Sequence, residues 1–388
     1  MMPGMSVPSA VDLASRLIRA PSVSGSEGPA AEVLIDAMRE AGFDDVYEDE
    51  VGNAIGIIDM GPGPTVLLTG HIDTVSPGDS AEWEHPPLGG DVVDGRLWGR
   101  GSVDMKSAVA CMVQAAAEAR RSGFEGRLIV AGTVLEETNG FGSMHLARTL
   151  DYDVAVLGEP SKLQLKLGHK GRVEVEATFT GAIAHAAQPD LGENALEAAA
   201  RFVARLDEVE LPVSEVLGPA TATPTKLVTH PGSTTNVVPG KAQLILDCRT
   251  LDGQTADDVI ALLKGVGING SVQFSVPSST VQEPDGRTRE SPHMAPAYLL
   301  PPDSRTASTA RSTLRRVLAD EGMELVEGVW WFCTDAPHLS KGGRPVVGFG
   351  PGEEELAHTT RESVSIGELT VATRAYRALA LAYLGGTR

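Results

Sequence analysis

The chain has 388 residues, 42% hydrophobic but only 4% aromatic, with a formal charge of −20. That length suggests two domains rather than one core, and the acidic balance argues against nucleic acid or an anionic membrane surface as partner, while suiting either a cationic substrate or simply a solvated acidic surface. No apolar run is long enough for a bilayer, the first eight residues lack a signal-peptide pattern, and three widely separated cysteines (Cys111, Cys248, Cys333) build no disulfide framework, so a reduced, cytoplasmic setting is expected.

Residues 10–18 and 29–41 read as amphipathic helices separated by the turn Pro21-Ser22-Val23-Ser24-Gly25. Residues 65–69 form a short continuous apolar run, as expected of a strand buried on both faces. An Ala-rich helix follows over 106–122, then buried strands over 127–133 and 154–157, an alternation that marks an α/β domain. From Gly168 the pattern changes. Residues 172–180 alternate polar and apolar, which suits a strand with one wet face. A helix over 194–208, strands over 226–229 and 242–249, a helix over 256–264 and a strand over 271–276 complete a split βαβ (ferredoxin-like) order. A Pro- and Gly-rich tract, 277–302, leads back to α/β patterning: a helix over 304–321, a strand over 345–349 and a terminal helix over 366–384. The expected fold is α/β with two domains, the first built from 1–168 and 284–388 and the second, 169–283, inserted into it.

The polar residues that follow the buried strands carry the chemistry. His71 and Asp73 follow the first buried run in Thr69-Gly70-His71-Ile72-Asp73-Thr74-Val75, and Asp104 stands at the mouth of the next helix in Gly99-Arg100-Gly101-Ser102-Val103-Asp104-Met105-Lys106. Glu136-Glu137, Gly158-Glu159-Pro160 and Ala357-His358-Thr359 each follow a further strand. Ligands of α/β sheets gather at the carboxyl ends of strands. Two histidines and several carboxylates drawn from distant sequence make an unusual donor set for one structural zinc, which prefers cysteine, but suit two divalent ions bridged by a carboxylate. Taken singly, each motif also fits an ordinary hydrogen-bonded residue; their joint order favours a metal site.

On those motifs the chain resembles, over nearly its whole length, the metallopeptidase family of acetylornithine deacetylase, succinyl-diaminopimelate desuccinylase, aminoacylase and carboxypeptidase G. The resemblance implies a zinc-peptidase-like α/β catalytic domain with the inserted domain as lid and dimerisation domain. It implies that His71, Asp104 and Glu159 hold one metal and Asp104, Glu137 and His358 the other, with Asp104 as the bridge and the Asp104–Met105 peptide cis. Asp73 would orient the His71 ring. Glu136 would be the general base that takes a proton from the bridging water, so that the hydroxide attacks the amide, and returns the proton to the departing amine. Zinc is the default metal, with cobalt or manganese also suited to carboxylate-rich sites. His185, in Ala184-His185-Ala186, would reach the partner subunit's active site in a homodimer, and Asn236 and Arg249 would contact a substrate carboxylate. For Arg249 taken alone a surface salt bridge is the plain alternative.

Gly350, in Gly348-Phe349-Gly350-Pro351-Gly352, would let the backbone approach substrate, or else belongs to an ordinary turn. Cys333-Thr334-Asp335-Ala336-Pro337 is similar to the acetylornithine deacetylase branch; Asp335 would meet a cationic substrate group or cap a helix. The other histidines are expected to be structural or exposed, and Cys111, within an apolar helix, to lie in the core. Ser107, where the family usually has Gly, and Val237-Val238-Pro239 after the Asn depart from the pattern, the second blurring the branch. The implied function is amide cleavage on a small N-acyl amino acid of acetylornithine type. The alternatives are a dipeptidase, an aminoacylase or a desuccinylase, or a non-catalytic binding protein on the same fold.

Overall fold

A computed structural model describes residues 7–232, 234–267, 271–282 and 287–385. Residues 1–6, part of the stretch read for a signal-peptide pattern, and Ser233 in the motif around Asn236 lie outside the described residues. The chain divides into two compact units, one comprising Met1–Gly168, Leu300–Trp330 and Thr334–Arg388, the other His169–Leu299 and Trp331–Cys333. Among the described residues no helix is long and apolar enough to cross a membrane.

The first unit is built on a mixed sheet in the order Asp45–Glu48, Ala54–Asp59, Arg127–Thr133, Thr65–His71, Val154–Leu157, Val346–Gly348, Leu165–His169. Its four central members, Arg127–Thr133, Thr65–His71, Val154–Leu157 and Val346–Gly348, run parallel. Buried on both faces, they are made of continuous Val, Leu, Ile and Ala runs, which is why they stand out in the sequence. The antiparallel flank, Asp45–Glu48 with Ala54–Asp59, was not expected, because Gly56 and Asp59 dilute its apolar signal. Helix Lys106–Ser122 packs against that sheet and against helices Ala10–Arg19 and Ile366–Tyr383, so it is buried nearly all round. Alanines at 108, 110, 115, 116, 117 and 119 let its neighbours approach closely, and the Cys111 thiol donates to the Leu369 carbonyl at 3.4 Å.

In the second unit four antiparallel strands lie in the order Thr221–His230, Lys241–Thr250, Gly171–Thr180, Ser271–Ser275. With helices Ala195–Val203 and Ala256–Lys264 between them in sequence, this is the ferredoxin-like arrangement. Strict alternation buries Val173, Val175, Ala177 and Phe179 against Phe202, Val259 and Leu263. Each such burial contributes about 1.5–3 kcal/mol for the larger side chains. Asn194 is the cap of the first helix rather than its first residue, accepting from the Leu196 amide at 3.1 Å. That helix ends at Val203, and the chain tightens into a 3-10 turn, Leu206–Glu208, where a longer helix was expected. Within the Pro- and Gly-rich tract lies a hairpin, Ser278–Gln282 with Thr288–Pro292.

Candidate metal centre

Parallel strands deliver their carboxyl ends to one edge of a sheet. At that edge stand His71, the last residue of Thr65–His71; Glu136 and Glu137, just beyond Arg127–Thr133; Glu159, two residues past Val154–Leu157; and the loop from Val346–Gly348 to His358. Asp104 arrives differently, on the loop ahead of helix Lys106–Ser122, with the Asp104–Met105 peptide cis. Two glycines bring that loop down onto the sheet: a side chain at Gly70 or Gly158 would collide with Met105, the residue after Asp104.

The candidate ligands converge. Asp104 stands between the two histidines, its Oδ1 2.9 Å from His71 Nε2 and its Oδ2 3.2 Å from His358 Nε2. Glu137 Oε1 lies 3.0 Å from His358 Nε2, and Glu159 Oε2 lies 3.9 Å from His71 Nε2. One set of donor atoms, from His71, Asp104 and Glu137, falls within 4.8 Å of one another, and so does a second, from His71, Glu136 and Glu159.

The electrostatics show a cluster that calls for positive charge. Burial opposes protonation of His71, yet the hydrogen bond and charge of Asp104 raise its pKa well above the usual range. His358 is pushed up to about 10 by its hydrogen bonds to Asp104 and Glu137. Burial also raises Asp104, but the hydrogen bonds from His358 and His71 outweigh it and hold the carboxyl below the ordinary range. Glu136 and Glu159 are driven well above the carboxylate range, first by burial and then by neighbouring carboxylates. Glu159 Oε1 is buried without a hydrogen-bond partner among the described residues. A buried carboxylate oxygen left unpaired is costly unless it meets a cation. An oxygen-rich set with two imidazoles is a donor chemistry that divalent zinc, cobalt or manganese accepts. The residues therefore form a donor cluster whose chemistry fits divalent metal ions.

Asp73 has a wider duty than steering an imidazole. His71 Nδ1 is 2.9 Å from the Asp73 backbone carbonyl and 3.5 Å from its carboxylate. The carboxylate accepts the amides of Glu136 and Glu137, each at 3.1 Å, and the Ser24 hydroxyl at 2.7 Å. It therefore holds the Glu136-Glu137 turn in place. Gly350 also serves the chain itself: its amide donates to Ser161 Oγ at 2.9 Å, its carbonyl accepts from Leu163, and a side chain there would strike the Gly158 and Glu159 backbone. Its missing side chain thus allows the close approach of two loops of this chain. Asp335 is buried, its pKa pushed up to about 6 by burial, and it makes no side-chain cap to the short helix Ala336–Leu339. Thr334 Oγ1 takes the Ala336 amide instead.

In the second unit, His185 and Asn236 are neighbours on a two-stranded ribbon: His185 pairs with Val237, and the Ala186 amide donates to the Asn236 carbonyl at 2.9 Å. Both side chains are exposed. Arg249 Nε donates to Asp247 at 2.8 Å, and Asp247 also accepts from Arg172 at 2.6 Å. The salt bridge considered for Arg249 is therefore present, and among the described residues its terminal guanidinium nitrogens make no hydrogen bond.

Two charged residues near the centre were not singled out in the sequence. Glu362 and Arg100 form a fully buried pair at 2.5 Å beneath the Asp104 loop. Neither follows a buried strand, so position alone did not mark them; a charge enclosed by glycines in Gly99-Arg100-Gly101 is the signal that could have found Arg100. Lys106 is likewise buried, donating to the Leu17 and Ala20 carbonyls at 2.8 and 2.9 Å.

A family model described as peptidase family M20/M25/M40 matches residues 67–382. Among curated proteins, the chain is similar to a succinyl-diaminopimelate desuccinylase of Methylorubrum extorquens, 29% identical with 98% of this chain and 100% of that protein covered. Among solved structures, it is similar to the aminopeptidase PepT of Bacillus cereus, with a TM-score of 0.76, 20% identity and coverage of 98% of this chain and 99% of that one. It is also similar to the Bacillus subtilis YXEP protein, described as a dinuclear metal binding peptidase, with a TM-score of 0.70, 16% identity and coverage of 97% and 98%.

Proposed function

The chain belongs to peptidase family M20/M25/M40 and is a metal-dependent amidohydrolase, and from that premise we propose that it removes the acyl group of a small N-acyl amino acid at a centre of two divalent ions. The carrying observation is Asp104, one oxygen toward His71 and the other toward His358; Glu136, whose carboxylate lies within 4.8 Å of donor atoms of His71 and Glu159, is assigned here to proton transfer rather than to either ligand set. When bound, the ions supply the acidity that ionises water near neutral pH and polarises the amide carbonyl. Glu136 takes the proton from water and later delivers it to the amine nitrogen that leaves. Burial, and then the charge of neighbouring carboxylates, raise its pKa well above the ordinary carboxylate range, the direction that suits a group that accepts a proton and hands it on. Zinc is the proposed metal, with cobalt or manganese as substitutes. Three free thiols accord with a reducing, cytoplasmic setting.

The acyl group is the open choice between acetyl, as in acetylornithine, and succinyl, the group named for the desuccinylase relative. A hydrolysis screen of N-acetyl, N-succinyl and N-formyl amino acids beside dipeptides, repeated with zinc, cobalt and manganese, decides it. Turnover of dipeptides alone would overturn the deacylase reading in favour of a dipeptidase. Bound metal without turnover of any amide would point to a binding protein.

For the substrate's free carboxylate we assign Asn236 and Arg249. The planar guanidinium suits two parallel hydrogen bonds to a carboxylate. Arg249→Ala is expected to lower kcat/KM by about 1.5–3 kcal/mol, roughly ten- to hundredfold, for the free acid. An amidated analogue should be little affected; equal losses for acid and amide would remove Arg249 from this role.

We further assign His185 to the partner subunit of a homodimer, where it donates to the oxygen of the amide under attack. Each active site would then be completed by two chains. Glu136→Ala and His185→Ala homodimers should both be nearly inactive. Reassembled together in equal amounts, half the dimers are hybrids with one intact site in two, so activity should return to roughly a quarter of wild type. Confirmed hybrids without recovery would place His185 in its own chain's site.

A further inference from the structure

We propose that Glu362, a residue outside both ligand sets, is a positioning residue that sets the metal affinity by fixing the backbone from which Asp104 projects. The inference rests on Asp104 being the ligand shared by both ions. One Glu362 oxygen accepts the amides of Val103 and Asp104, at 3.0 and 3.2 Å, and the other accepts from Arg100 Nη1 at 2.5 Å. The Glu362 carbonyl accepts a third amide of the same loop, that of Gly99, at 3.1 Å. The Glu362 side chain is fully enclosed, and Arg100, itself buried, lies over the Trp83 ring at 5.1 Å from its centre.

The position of Glu362 in the chain gives these bonds their consequence. It follows His358 by four residues and opens into strand Ser363–Ser365, which pairs with Arg96–Trp98, the strand ahead of the Asp104 loop. The segment carrying His358 and the segment carrying Asp104 are thereby joined as one piece. Two successive amides bound to a single oxygen restrain the Val103–Asp104 backbone. The Asp104 carboxylate is then held at hydrogen-bond distance from both imidazoles. A plain stabilising role explains these contacts less well. Buried ion pairs are often replaceable by apolar residues without loss of stability, whereas an acceptor serving two buried amides beside a ligand has no apolar substitute.

Two double variants separate acceptor from charge. Glu362→Leu with Arg100→Met removes the acceptor and leaves no lone buried charge; Glu362→Gln with Arg100→Met keeps an oxygen for the two amides. Each is stripped of metal and titrated with zinc against a chromogenic chelator. Melting of the metal-stripped protein and the visible spectrum of the cobalt form are recorded alongside. The Leu/Met variant should bind zinc about 10–100-fold more weakly than wild type, with altered cobalt absorption, while the Gln/Met variant stays within about threefold. Equal affinity in all three proteins, or equal loss in both variants, overturns the proposal. If the Leu/Met variant is unfolded when stripped, saturating zinc should restore it in proportion to concentration; failure to refold at saturation also overturns it. A wild-type protein that binds no zinc, cobalt or manganese would instead refute the metal centre itself.

Discussion

Replacing Glu136 with Gln is expected to lower kcat at least about a hundredfold while bound metal and fold stay near wild type. Gln keeps the volume and one acceptor oxygen, but it cannot take a proton from water or carry one to the leaving nitrogen. The main-chain anchor survives the change, because the Glu136 amide is held by Asp73 Oδ1 at 3.1 Å irrespective of the side chain. Metal content should survive as well: Glu136 lies within 4.8 Å of donor atoms of His71 and Glu159 but is not needed to complete either proposed ligand set. Elemental analysis of the purified variant, beside steady-state kinetics, checks both halves. Activity within a few-fold of wild type in a metal-loaded variant would remove Glu136 as the base. Metal loss would make it a ligand.

Asp104→Asn is expected to have the opposite signature, with both ions lost together. Its two oxygens face different histidines, at 2.9 and 3.2 Å, so each proposed ligand set depends on the same carboxylate. An amide offers one weak oxygen donor and an NH2 group that cannot ligate. Loss of a direct ligand should weaken binding by more than the about 10–100-fold typical of outer-shell partners. After dialysis the variant should retain well under one ion per chain and show no activity at ordinary zinc concentrations. His358→Ala is the control. It removes a donor from one set only, leaving His71, Asp104 and Glu159, so it should retain about one ion per chain. If Asp104→Asn also retains one ion, Asp104 is not shared.

The inserted unit illustrates what periodicity conveys. Residues 171–180 and 241–250 alternate so regularly that a one-residue slip would turn Val175 and Leu244 to solvent, and their pattern therefore specifies both strand and inward face. Where the pattern weakens, the reading weakened too. The flank strands at Asp45 and Ala54 and the hairpin at Ser278 contain Gly, Asp or Ser, and they became strands through pairing, with an adjacent segment for the first and the last and with the distant Arg127–Thr133 for Ala54–Asp59.

The candidate metal centre divides along the same line. The sequence alone established that His71, Glu136, Glu137, Glu159 and His358 follow buried strands and that Asp104 stands at the mouth of a helix, because apolar runs and the polar residues bounding them are local features. It also determined the residue types, two imidazoles and several carboxylates, that call for divalent cations. Only the tertiary structure decided how those strand ends align, since the sheet order places Thr65–His71 between Arg127–Thr133 and Val154–Leu157, out of chain order. Only the tertiary structure revealed Asp73 holding the Glu136-Glu137 turn, Gly350 yielding space to the Gly158-Glu159 backbone, and Glu362 clamping the loop of Asp104. Each of these joins a side chain or a bare Cα to main chain far away in sequence. Such hydrogen bonds and close approaches have no period and no composition; they exist only once the chain has folded.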